Sequence, residues 1–111
     1  MSDEFLAPRG TLDWLPARQA ARHAMLESFR VICAGSGYAE VATPVFEEKA
    51  LFARTAGESS EVVGKEMYLF EDQGERVLAL RPEFTASLMR LYLGNGMSRE
   101  AQSVRIWCAG S

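Results

Sequence analysis

The stretch Leu80-Arg81-Pro82-Glu83-Phe84-Thr85-Ala86 constrains this chain more than any other. An apolar run, Val77–Leu80, reads as a strand and precedes it. An amphipathic run over 87–93 reads as a helix and follows it. Proline has a fixed φ and no amide donor, so Pro82 suits a first helical position and predicts a helix over 83–93. Glu83 and Thr85 then stand at the mouth of a strand-to-helix turn. A carboxylate and a hydroxyl two residues apart can both reach a ligand lying over the sheet edge. The carboxylate suits a small cation, such as the ammonium of an amino acid, through a charge-assisted bond of about 1.5–3 kcal/mol. The same residues also suit a structural role. Glu in a first turn complements the helix dipole, and Thr near a helix start is an ordinary cap. The stretch alone leaves both readings open.

A chain of 111 residues has room for one domain. Acidic residues number 15 against 12 basic, a net charge of −3. No basic run interleaves with aromatics, so no nucleic-acid surface is expected within these residues. The opening Met1-Ser2-Asp3-Glu4-Phe5 is acidic and lacks the apolar core of a signal peptide. No apolar run approaches a membrane span, and no membrane partner is expected. Cys33 and Cys108 form no C-x-x-C pair and are expected as reduced, half-buried thiols of a cytosolic chain. A single histidine, His23, offers no ligand cluster, so no protein-held metal is expected.

In chain order, residues 7–16 carry two prolines and a glycine and predict an irregular arm pinned by Trp14 and Leu15. Asp13 or Pro16 opens a helix running to about Ala34. Its positions Ala21, Met25, Phe29 and Ile32 have the spacing of a buried stripe. Gly35-Ser36-Gly37 ends it. The G-x-G-x-x-G pattern fails there because Glu40 holds the third glycine position, so a helix C-cap is the reading. Residues 38–43 read as a strand closed by Pro44, 45–47 as an extended continuation, and 48–54 as a short helix. Residues 55–61 form a polar loop, with a single turn near Val62-Val63. Residues 67–70 and 76–80 flank Asp72-Gln73-Gly74-Glu75 and predict a β-hairpin, with Gly74 in the left-handed conformation. Gly94-Asn95-Gly96 stops the next helix, and 104–109 reads as a final strand.

These features in their order resemble the opening of a histidyl-tRNA synthetase. Pro8-Arg9-Gly10-Thr11 with Asp13 carries the resemblance first, then Gly37-Tyr38 through Thr43-Pro44-Val45-Phe46-Glu47. Leu51-Phe52 with Gly57-Glu58 follows, then Lys65-Glu66-Met67-Tyr68 with Phe70, and Leu80-Arg81-Pro82-Glu83 with Thr85-Ala86. Each motif is weak alone; their order and spacing are specific, and they span about residues 8–110.

The resemblance implies an α+β fold, the class II aminoacyl-tRNA synthetase antiparallel sheet flanked by helices. Residues 1–111 would be the N-terminal portion of that catalytic domain. The helix before Gly37 and the strand ending at Pro44 would match class II motif 1, placing Pro44 at a homodimer interface. Glu83 and Thr85 match positions that hold the α-ammonium of the histidine substrate. The complete cytoplasmic enzyme would use ATP and Mg2+ to activate histidine as an adenylate, then transfer it to tRNA(His). That chemistry runs by positioning and charge neutralisation.

Two departures accompany the match. The family often has glycine where this chain has Phe84, a ring that can pack underneath or narrow the pocket. The chain is also expected to halt before the motif 2 arginine, motif 3, the imidazole pocket and the anticodon-binding domain. No catalytic residue is therefore assigned, and these residues alone are expected to be inactive in adenylation. Two other readings stand beside the ligase. One is a fragment of the synthetase-like regulatory subunit of ATP phosphoribosyltransferase. The other is a non-catalytic dimerisation module.

Overall fold

The computed structural model describes residues 4–56 and 67–111. They form two compact units, one ending at Gly37 and one running Tyr38–Ser111.

The first unit is an arm followed by helix α1, Pro16–Gly35. In the arm, Gly10 takes a φ of 86°, and the Thr11 amide and hydroxyl both donate to the Pro8 carbonyl. Leu15 is extended before Pro16, as a residue preceding proline must be, and Pro16 opens the helix where its missing donor costs nothing. Trp14 is held by Arg22, whose guanidinium lies 5.2 Å from the ring centroid. Leu15 pins nothing: it is 68% exposed. The predicted stripe is not buried either, with Met25 69%, Phe29 49% and Ile32 67% exposed. A single helix and an irregular arm give that stripe no packed layer within their own unit. The helix stops as expected. Gly37 is left-handed at φ 81°, and the Ser36 hydroxyl donates to the Ile32 carbonyl at 3.0 Å.

The second unit contains two small sheets. Strands β1, Ala39–Glu40, and β5, Ile106–Trp107, pair in parallel. They are far shorter than the predicted runs 38–43 and 104–109. The other sheet is antiparallel, ordered β2-β4-β3, with β2 at Phe46–Glu48, β3 at Leu69–Glu71 and β4 at Val77–Leu80. Register pairs Glu47 with Ala79 and Leu69 with Ala79, so these three share one face. Helix α2, Lys49–Ala56, and helix α3, Thr85–Gly94, cover that face. The core there is Phe52, Ala79 and Ala86, with Leu51 and Met67 packed against it. Burying a ring such as Phe52 contributes about 1.5–3 kcal/mol. The fold class is thus α+β, with helices on an antiparallel sheet.

Two local readings are corrected. Helix α2 takes in Thr55 and Ala56, expected as loop. The remainder of that loop, the turn at Val62-Val63, and the motif residues Gly57, Glu58, Lys65 and Glu66 lie outside the described residues. In the β3–β4 hairpin the left-handed residue is Glu75, φ 62°, and not Gly74. Asp72 dictates this: its Oδ1 accepts from the amides of Gly74 and Arg76, both at 2.9 Å. The Glu75 amide closes a turn onto the Asp72 carbonyl, which leaves the left-handed position one residue later than glycine.

Candidate functional site

Strand β4 ends where its last amide, Leu80, donates to the Tyr68 carbonyl at 2.9 Å. The Arg81 amide then donates to the Val45 carbonyl at 3.0 Å. Pro82 follows, where no further ladder donor is needed. The helix does not begin at Pro82: α3 starts at Thr85, with Phe84 as its N-cap at φ −101° and ψ −23°. Pro82 therefore ends the strand rather than opening the helix. Pro82 disfavours helical dihedrals at Arg81, so the helix cannot run back into the strand.

This shift places Glu83 just outside α3 and Thr85 as its first residue, both exposed. Both Glu83 carboxylate oxygens lie 3.3 Å from the Ala86 amide nitrogen. The carboxylate therefore caps the first turn, at a distance longer than a strong hydrogen bond. A carboxylate has about four lone-pair sites, so the cap leaves accepting capacity for a cation. The helix end also favours negative charge there. Capping and ligand binding are thus compatible at Glu83.

Phe84, between them, is half-buried, and Arg81 Cζ lies 4.5 Å from its ring centroid. Arg81 Nη1 also donates to the carbonyls of Thr43 and Pro44, each at 3.1 Å. The structure thus joins Pro44 to the Glu83–Thr85 turn through one side chain, a link absent from the sequence reading. Its sequence signal, an arginine next to the proline that ends a strand, is too common to single out.

A concavity of about 600 Å³ is bounded by Glu47, Glu48, Leu51, Arg54 and Arg90. It includes none of Glu83, Thr85 or Pro44. Glu47 is nearly buried and its Oε2 accepts from Arg90 Nε at 2.5 Å. Among the described residues no group of three His, Cys, Asp or Glu side chains could hold a metal ion. None of the described helices is long and apolar enough to cross a membrane.

The family described as histidyl-tRNA synthetase matches residues 10–111. A histidine–tRNA ligase of Mycobacterium marinum is 42% identical over 107 residues, covering 96% of this chain and 26% of the relative. One from Natranaerobius thermophilus is 45% identical over 104 residues, covering 94% and 25%. The apo S. aureus histidyl-tRNA synthetase superposes with a TM-score of 0.81 at 31% identity, covering 95% of this chain and 24% of that one. A Bacillus halodurans structure described as an ATP phosphoribosyltransferase regulatory subunit/histidyl-tRNA synthetase gives 0.78 at 24% identity, covering 99% and 28%, a likeness of fold alone. The chain spans about a quarter of the length of the curated relatives it matches. With its class II α+β fold and its motifs in family order, this chain belongs to the histidyl-tRNA synthetase family.

Proposed function

We propose that this chain is the N-terminal portion of the catalytic domain of a cytoplasmic, homodimeric histidine–tRNA ligase. In this reading, the Glu83 carboxylate and the Thr85 hydroxyl receive the α-ammonium of histidine, and the Pro44 segment lies at the dimer interface. The observation that supports it is the exposed Glu83–Thr85 pair at the N-terminus of α3, on a chain of this family. Glu83 supplies charge and Thr85 a second acceptor, so an ammonium is oriented as well as attracted. Fixing the amino group orients the carboxylate of histidine for reaction with ATP. In the complete enzyme of this reading, ATP, Mg2+ and tRNA(His) would join histidine, and no residue of this chain is assigned a catalytic step.

The reading as a regulatory subunit of ATP phosphoribosyltransferase shares this fold, and chemistry separates the two. Amino-acid-dependent exchange of pyrophosphate into ATP by the full-length protein tests it. Exchange with histidine and not with alanine is expected. A protein that binds histidine without any exchange would favour the regulatory reading.

A further inference from the structure

Arg81 makes several directional contacts at the end of β4. Its Nη1 donates to the carbonyls of Thr43 and Pro44, and its Nε to the Ser111 carbonyl at 2.9 Å. One face of the guanidinium lies on the Phe84 ring. Gly110 runs close by, where a Cβ would come within 2.6 Å of Nη2 and 3.4 Å of Phe84 Cζ. Only a planar fork serves in-plane carbonyls and a stacked ring at once; a lysine ammonium does not. Phe84 is also the residue that joins Glu83 to Thr85. Holding its ring therefore restricts the backbone that carries both candidate ligands.

We propose that Arg81 is a positioning residue that locks the Glu83–Thr85 turn to the Pro44 segment. It acts through the Phe84 ring on one side and the Thr43 and Pro44 carbonyls on the other. A shift of the Pro44 segment is thereby transmitted to the ammonium subsite. The identity of the ligand rests on the histidine reading above; the mechanical link rests on the contacts alone.

The test uses full-length Arg81→Ala, Arg81→Lys, Phe84→Leu and Phe84→Tyr proteins. Two readouts are taken: KM for histidine and for ATP in pyrophosphate exchange, and deuterium uptake by the peptide spanning 82–88. Arg81→Ala is expected to raise KM for histidine roughly tenfold, the loss of about one net hydrogen bond, while KM for ATP stays within about twofold. Uptake across 82–88 rises with it. Arg81→Lys shows most of the same loss. Phe84→Leu raises KM for histidine about threefold through loss of the cation–ring contact, and Phe84→Tyr retains the original value. A folded Arg81→Ala protein with unchanged histidine KM and unchanged uptake overturns the proposal. So does a loss in which both KM values move together. If Arg81→Ala does not fold, an unchanged histidine KM in Phe84→Leu is the overturning result. Absence of exchange by the unaltered protein defeats the ligase reading instead. The link is then decided by uptake, where a rise in Arg81→Ala supports it and no change overturns it.

Discussion

Ser87 is fully buried, and its hydroxyl has no hydrogen-bond partner among the described residues. An unpaired buried hydroxyl keeps its desolvation cost without return. Ser87→Ala is therefore expected to stabilise the protein by about 1 kcal/mol, read as a higher urea midpoint with an unchanged slope. A lower midpoint would mean that the hydroxyl has a partner in the working protein. At this scale the sequence was partly legible. Glu83 and Thr85 could be picked out because their side-chain chemistry differs from that of the turn around them. Arg81 could not, because its partners are backbone carbonyls 37 and 38 positions away. Carbonyl acceptors leave no mark in a residue pattern.

The elements carry a second pairing of this kind. Glu47 on β2 lies on the covered face of the sheet, where a carboxylate is costly unless paired. Arg90 on α3 supplies the partner and fixes how the helix sits on the sheet. Arg90→Ala leaves that carboxylate uncompensated and should cost about 3 kcal/mol, the lower end for a buried pair because Arg90 is itself half-exposed. Arg90→Ala combined with Glu47→Leu should recover most of it, and denaturant unfolding of the single and double variants measures both. If the double variant is as unstable as the single one, the pair is not the cause. Helices α1 and α2 and the hairpin were legible because punctuation and period are local signals. Strand lengths were not. The predicted strands 38–43 and 104–109 each contribute only two ladder residues, because a ladder depends on a partner distant in sequence. The Gly74 misassignment has a similar cause: the Asp72 side chain, not glycine's freedom, sets the turn.

At the scale of the molecule, α1 presents an apolar stripe with Met25 and Ile32 both more than half exposed. The spacing of that stripe was legible; what it packs against was not, since the pattern records a need for burial and not its partner. The proposed dimer can be tested at Pro44. Pro44→Ala keeps the carbonyl that Arg81 uses but frees the backbone φ. Sedimentation of the full-length protein should show a dimer dissociation constant raised about two- to fivefold, with a smaller change in histidine affinity. An unchanged profile at low concentration would place the interface elsewhere. Glu83 is proposed to be both a helix cap and an ammonium ligand. Calorimetric titration of histidine into full-length Glu83→Gln, alongside its thermal unfolding, tests this most directly. Histidine affinity should be at least roughly tenfold weaker with Tm within about 2 °C, because a neutral amide still caps but no longer pairs with an ammonium. A Tm lowered by several degrees with unchanged histidine affinity would contradict it and leave Glu83 as a helix cap alone.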